Sequence, residues 1–269
     1  MNNKSSIGVF DSGIGGLTVL REITRLLPGE NTIYLGDTAR VPYGSKSKET
    51  IERYSFEIAA FLLKHDIKML VAACNTASAY AVPKLAKELD IPVLGVIEPG
   101  ARAAVAATKA NRIGVIGTEG TIKSSAYTSA IKAIRPEAET FVKACPLFVP
   151  LVEEGWAEDE VTALVASRYL AGLKDAGIDT LVLGCTHYPL LKETIASVMG
   201  DSVALIDSAA STAMEVKKIL EEKGLLNDSG KDASHRFFVT DSPERFMAVG
   251  RRFFGERLAD AELAALTDN

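Results

Sequence analysis

The chain has only three cysteines and three histidines among 269 residues, and it has no run of clustered lysine and arginine. It also lacks any uninterrupted apolar stretch of membrane length. Each shortage excludes something. Three thiols cannot build a disulfide framework, and a reducing compartment keeps them free, so thiol chemistry stays open. A net charge of −5 with no basic cluster argues against nucleic acid or an anionic membrane as partner, because such surfaces are met by grouped cations. Residues Met1 to Ser6 are polar and run straight into Ile7-Gly-Val-Phe10 with no apolar leader, so the expected location is the cytoplasm.

What is present is a large apolar fraction, 47%, arranged in a rhythm. Short runs rich in Val, Ile and Leu stand at Ile7–Phe10, Thr32–Leu35, Met69–Ala73, Val93–Val96, Ile113–Ile116, Thr140–Lys143, Thr180–Leu183 and Ala204–Ile206, with helical patterns between them. That alternation predicts βαβ units around parallel sheets, an α/β fold. The stretch from Ser47 to Lys64 predicts a helix burying Ile51, Tyr54, Ile58 and Phe61, and Pro83 falls early in another. Near the end, Leu225–Ser234 reads as a polar loop and Arg236–Val239 as an edge strand, and the tail carries no chemical motif.

The second half repeats the first. Ile7-Gly-Val-Phe matches Ile113-Gly-Val-Ile 106 positions later, Val41-Pro42 matches Val149-Pro150 at 108, Ala73-Cys74-Asn75 matches Gly184-Cys185-Thr186 at 111, and Val93 matches Val203 at 110. Four landmarks in the same order at nearly one offset predict two pseudo-symmetric domains from an internal duplication. The boundaries fall near Glu98-Pro99-Gly100 and Asp207-Ser208, giving a first domain of residues 1–97 plus 208–269 and a second of 98–207. The site is expected in the interdomain cleft.

In each half an apolar strand ends in a cysteine followed by a polar residue and a helix, Leu70-Val-Ala-Ala-Cys74-Asn75-Thr76 and Leu181-Val-Leu-Gly-Cys185-Thr186-His187. Ligands of open α/β sheets bind beyond the carboxyl ends of strands, so each thiol points to a site. One such cysteine alone reads as a small hydrophobe. Two at equivalent places, facing across a pseudo-twofold axis, put one acid/base group on each side of a substrate, which one-step racemisation requires. A thiol of ordinary pKa near 8.5 needs help to ionise, and a helix N-terminus gives only about 0.3–1 kcal/mol. A cation must add the rest, either a substrate ammonium or a protonated His187.

Asp11-Ser12-Gly13-Ile14-Gly15-Gly16 follows the first strand and suits a loop of backbone amides that binds an anion. It is not a dinucleotide fingerprint, since Thr18 stands where the third glycine belongs and only Asp37 lies near the end of the second strand. The simpler reading is a tight strand-to-helix turn. Pro42-Tyr43-Gly44-Ser45 forms a loop whose repeat counterpart, Pro150–Glu153, supplies the carboxylate of Glu153, or else a merely solvated helix residue. A zinc site at Cys185 and His187 lacks the spaced four-ligand set that zinc needs. Cys145 has no counterpart and reads as structural, and His65 and His235 show no partner.

Taken together, Asp11-Ser-Gly-Ile-Gly-Gly16, Pro42-Tyr-Gly44, Cys74-Asn-Thr76 and Gly184-Cys-Thr-His-Tyr-Pro-Leu190 resemble glutamate racemase of the aspartate/glutamate racemase superfamily, from about Ile7 to Ser208. The resemblance implies interconversion of L- and D-glutamate without pyridoxal phosphate, metal or other cofactor, supplying D-glutamate for peptidoglycan. By position it implies that Cys74 and Cys185 are the acid/base pair, that Asp11, Glu153 and His187 assist, and that Asp11, Ser12, Tyr43, Gly44, Asn75, Thr76, Thr186 and His187 line the substrate site. Members of the family often form homodimers, while the oligomeric state itself cannot be read from the sequence. Some relatives bind a cell-wall precursor through an N-terminal extension, and with six residues before the first strand that regulation is expected to be absent. Aspartate racemisation is the nearest other activity. A non-catalytic amino-acid binding module is the other class, and it would need no reactive thiols.

Overall fold

The computed structural model describes residues 2–227 and 233–266. The first run of the chain is β1 (Ser6–Asp11), α1 (Leu17–Leu26), β2 (Thr32–Gly36), α2 (Lys48–Leu63), β3 (Ile67–Ala72), α3 (Asn75–Tyr80), α4 (Val82–Glu88), β4 (Val93–Gly95) and α5 (Ile97–Ala107). The second is β5 (Arg112–Gly117), α6 (Glu119–Lys123), α7 (Ala126–Ile134), β6 (Glu139–Ala144), α8 (Phe148–Glu153), α9 (Glu160–Asp175), β7 (Thr180–Gly184), α10 (Lys192–Met199), β8 (Ala204–Asp207) and α11 (Ser208–Glu222). A tail of β9 (His235–Val239), α12 (Pro243–Phe254) and β10 (Glu262–Leu263) completes it.

Two sheets result, ordered β10-β9-β2-β1-β3-β4 and β6-β5-β7-β8, and every recorded pairing in them is parallel. The orders β2-β1-β3-β4 and β6-β5-β7-β8 are the same path drawn twice. Strands covered by helices on both faces read as continuous apolar runs, which is why Ile7-Gly-Val-Phe and Ile113-Gly-Val-Ile carry no polar alternation. In each sheet the chain steps outward from the first strand of the unit and then crosses to its other side, which opens a crevice at the carboxyl ends of β1 and β3, and of β5 and β7. Asp11 ends β1, Cys74 follows β3, Thr118 follows β5 and Cys185 follows β7.

Helix α2 begins where expected, with Ser47 Oγ accepting from the Thr50 N–H at 3.3 Å. Its buried stripe is Ile51, Ser55, Ile58, Ala59 and Leu62, whereas Tyr54 and Phe61, expected inside, are half-buried. Their rings serve instead as platforms, Tyr54 for the Arg40 guanidinium at 3.9 Å and Phe61 for Phe238 at 5.2 Å. β9 is not an edge: two residues of β10 pair with Phe238 and Val239 and cover it. The expected polar loop Leu225–Ser234 lies partly outside the described residues. Its start is held by a buried ion pair, because Lys68 Nζ lies 2.5 Å from Glu30 Oε2 and donates to the carbonyls of Asn3 and Leu225 at 2.6 and 2.8 Å. Glu30 Oε1 accepts from the Asn227 N–H at 2.7 Å. Among the described residues no helix is long and apolar enough to cross a membrane.

Candidate active site

One small cavity, about 50 Å³, lies between the two sets of strand ends and is lined by residues of both halves. Of the residues singled out from sequence it gathers Ser12, Tyr43, Gly44, Cys74, Asn75, Thr76, Glu153, Cys185, Thr186 and His187. Ordinary ligand sites hold about 300–1,000 Å³. This cleft is therefore closed. Among the described residues no lysine or arginine lines it.

Asp11 is the exception among the expected residues. It is fully buried beneath the wall, where its Oδ2 accepts from the Gly13 N–H at 2.9 Å and its Oδ1 from the Thr186 hydroxyl at 3.4 Å. The glycine loop does present an amide to an anion, but that anion is the protein's own Asp11. None of Gly13, Gly15 and Gly16 has positive φ, so the turn itself does not demand glycine. Close approach does: a Cβ on Gly15 would sit 2.2 Å from Thr186 Oγ1 and 2.5 Å from His187 Nδ1.

The two cysteines stand differently. Cys74 stands at the N-cap position of α3, and its thiol donates to Ser12 Oγ at 3.6 Å. Cys185 is followed by a 3-10 turn, Tyr188–Leu191, rather than directly by an α-helix, and α10 starts only at Lys192. Its partner is a side chain, with His187 Nδ1 4.0 Å from Cys185 Sγ and His187 Nε2 3.1 Å from Glu153 Oε1. Glu153 is the last residue of the short helix α8, not part of a loop.

These contacts divide the charge. Burial pushes the Cys74 thiol up to about 12, and the Asp11 carboxylate pushes the same way against weaker help from the Ala77 N–H and Ser12. Burial opposes a charge on His187, but its contacts with Cys185 and Glu153 win and lift it to about 10. The His187 hydrogen bond holds Glu153 below the usual carboxylate range against burial, with Arg245 adding to it. Burial raises Asp11, partly offset by His187. At neutral pH Cys74 on one wall is a thiol, and an imidazolium stands beside Cys185 on the other.

The polar wall between them is built for an acceptor. Asn75 Oδ1 is taken by the Tyr127 hydroxyl at 2.7 Å, and its buried Nδ2 has no partner. Thr76 Oγ1 lies 2.9 Å from Thr118 Oγ1 and 3.0 Å from Thr121 Oγ1, a hydroxyl cluster joining the halves. The Tyr43 hydroxyl donates to the buried Asp37, so Tyr43 offers the cavity its ring face while Asp37, also gripped by Arg40 and Thr240, fixes the Pro42-Tyr43-Gly44 turn.

The profile of the Asp/Glu/Hydantoin racemase family matches residues 7–216. The chain belongs to this family. A glutamate racemase of Geobacter metallireducens is 59% identical over 261 residues, 97% of each chain. Among solved structures, a glutamate racemase isoform of Bacillus anthracis superposes with a TM-score of 0.95 at 43% identity, covering 98% of this chain and 99% of the other. A glutamate racemase of Francisella tularensis in complex with D-glutamate superposes with a TM-score of 0.92 at 40% identity, covering 98% of each.

Several residues of this candidate site escape a reading of the sequence. Thr118 had a signal, for it lies 106 positions after Ser12 and is its duplicate. Tyr127 and Thr121 had none, because they meet Asn75 and Thr76 across 52 and 45 residues, and the Asp37 grip on Tyr43 and Arg40, though local, forms no recognisable motif. The histidines set aside as unpartnered have structural partners: His65 packs between Phe61 and Phe238 at 4.7 and 5.0 Å, and His235 Nδ1 meets Thr32 Oγ1 at 2.9 Å. Among the described residues no group of three or more His, Cys, Asp or Glu could hold a metal ion.

Proposed function

We propose that this racemase interconverts L- and D-glutamate by a two-base reaction of Cys74 and Cys185, without a cofactor. The observation that carries the reading is one closed cavity with a thiol from the equivalent strand end of each half. One cysteine, as thiolate, takes the α-proton of the enantiomer facing it, leaving a planar carbanion stabilised by the α-carboxylate. The other, as thiol, gives a proton to the opposite face. The cysteines leave the cycle with their protons exchanged, and the reverse direction runs the roles backwards. Cys185, beside the His187–Glu153 pair, rests as the base. Cys74 rests as the acid, and the substrate ammonium brings the cation that its own surroundings lack.

Carboxylate recognition falls to neutral donors: the free Nδ2 of Asn75, the hydroxyls of Ser12, Thr76, Thr118 and Thr186, and the wall of Tyr43 and Gly44. Asp11 orders the loop that carries Ser12 and receives Thr186. The names of the relatives favour glutamate over aspartate. With it come a place in the cytoplasm, where thiols stay reduced, a homodimer, and D-glutamate for peptidoglycan as the product's use. The halves are then domains of residues 1–97 plus 208–269 and 98–207.

Circular dichroism tests the reading. The chelated protein, with no pyridoxal phosphate added, is expected to erase the signal of L-glutamate and of D-glutamate and to leave L-aspartate largely unchanged. A need for metal or pyridoxal phosphate, or faster loss of the aspartate signal, overturns it.

A further inference from the structure

Helix α12 puts no residue into the cavity, yet it touches the machinery behind Cys185 at three points. Phe253 sets its ring edge-on to His187, centroids 5.4 Å apart. Arg252 Nη1 donates to the Glu153 carbonyl at 3.0 Å, satisfying an acceptor that the end of α8 leaves open. Arg245 Nη2 lies 3.7 Å from Glu153 Oε2. The helix itself is seated on the other half: Gly250 lies against Leu17, where a Cβ would come within 3.0 Å, and the Phe253 carbonyl accepts from Arg21 of α1 at 3.0 Å. Arg245 and Glu153 also line a second cavity, about 320 Å³, which shares Gly13, Val41 and Glu153 with the first.

Glu153 is thus held at both ends from across the cleft. One carboxylate oxygen meets His187 and the other meets Arg245, while the main-chain carbonyl meets Arg252. Its side chain is 23% exposed, so without these grips it could turn toward water and leave His187. We propose that α12 is a latch on the closed cleft and that Arg245 is a positioning residue, which acts through Glu153 to keep the His187 imidazole aimed at Cys185. Because the arginine and the carboxylate come from different halves, the pair forms only on closure. The inference rests on the two-thiol reading above. The charged and titratable groups facing His187 among the described residues are Cys185 on its own loop, Glu153 on α8 and Asp11 at the end of β1, with Arg245 and Arg252 of α12 behind Glu153.

Losing Arg245 removes a cation, which alone would favour a charge on His187, but it also frees the carboxylate that touches the ring. The direct contact is the nearer and wins, so His187 gives up its proton at lower pH. In full-length Arg245→Gln, kcat/KM is expected to fall about three- to tenfold and its basic limb to move about half to one unit toward acid. The enantiomers have equal free energy, so the fall is the same in both directions. Arg245→Lys restores the rate to within about twofold, and added salt narrows the gap between parent and Gln variant, since Arg245 is 63% exposed. The His187 imidazole, followed by NMR without substrate, titrates lower in the Gln variant by a matching amount. A Gln variant with the parent's rate and titration overturns the latch. So does a slower one whose basic limb and His187 titration are unmoved, or a Lys variant no better than Gln. If the parent fails to racemise glutamate, the functional reading falls while the NMR titration still decides the latch.

Discussion

At the scale of single residues, the two cysteines have similar exposure, 6% for Cys74 and 7% for Cys185, so access does not set them apart. Their neighbours do. Cys74 faces Ser12 and feels the Asp11 carboxylate, which with burial lifts it to about 12, and its thiolate fraction near neutrality is very small. Cys185 faces His187, which stays charged up to about pH 10. Iodoacetamide at pH 7.5, followed by peptide mapping, is therefore expected to label Cys185 first and Cys74 much more slowly, with glutamate protecting both. The rate at Cys74 climbs about tenfold per pH unit, because each unit below its pKa multiplies the thiolate tenfold. Cys145, wholly buried and also pushed to about 12, stays unlabelled in the folded protein. Labelling of Cys74 ahead of Cys185 would mean that the resting roles are reversed. The sequence carried the identity of both cysteines and of His187, because repeated strand ends and a two-residue spacing are local patterns. It could not carry the depth of Asp11 or the contact from Tyr127, which depend on how the halves close.

At the scale of elements, the eight strands expected in the duplicated region all form, each within about two residues of its expected limits. The central ones are buried on both faces and leave an uninterrupted apolar signature, whereas β6 and β8 lie at the edges of their sheet and keep exposed residues. In the tail the strand expected at Arg236–Val239 forms as β9, and what was illegible lies beyond it. β10 is two residues long and pairs where only tertiary folding brings it, and α12 carries its meaning in contacts with α1 and Glu153 rather than in any motif. Another such contact is the Lys68–Glu30 pair, which meets Leu225 and Asn227 and in which both side chains are almost completely buried. Lys68 in the run Ile67-Lys-Met-Leu-Val-Ala looks out of place, since every residue of β3 is buried. Its ammonium emerges at the start of the strand, where it ties down Asn3 and the turn after α11. Removing one member of a buried pair strands the other's charge, at a cost of about 3–5 kcal/mol. Glu30→Gln should thus lower the unfolding free energy by about that much in urea titration. The double variant Glu30→Gln with Lys68→Met should regain most of it, because the amide still accepts from Asn227 and the thioether fills the lysine's channel. A loss below about 1 kcal/mol in the single variant would show the pair to be incidental to stability.

At the scale of the whole molecule, the proposed two-thiol chemistry rests on the duplication. The repeated strand order places equivalent crevices mouth to mouth, and their equivalent positions supply Cys74 with Asn75 and Cys185 with Thr186. The halves have since diverged: His187 and Glu153 serve one thiol, and Asp11 and Ser12 flank the other. A near-twofold pair of bases around a tetrahedral carbon has one consequence that no single-base enzyme shares. Each thiolate can reach the α-proton of one enantiomer only. Replacing either cysteine by Ala should abolish racemisation, yet the surviving thiolate can still remove the proton facing it, exchange with solvent and return a deuteron to the same face. In deuterium oxide Cys74→Ala should label one enantiomer of glutamate and Cys185→Ala the other, each without inversion and each more slowly than the parent. NMR loss of the α-proton signal, with chiral chromatography to exclude inversion, reads both outcomes at once. Exchange in the Cys185→Ala variant should be the slower of the two, because Cys74 must ionise against burial and Asp11 with only the substrate ammonium to help. Both variants labelling the same enantiomer, or either one racemising near the parent rate, would mean that one base visits both faces and that the symmetry of the halves is inherited architecture with no part in the reaction.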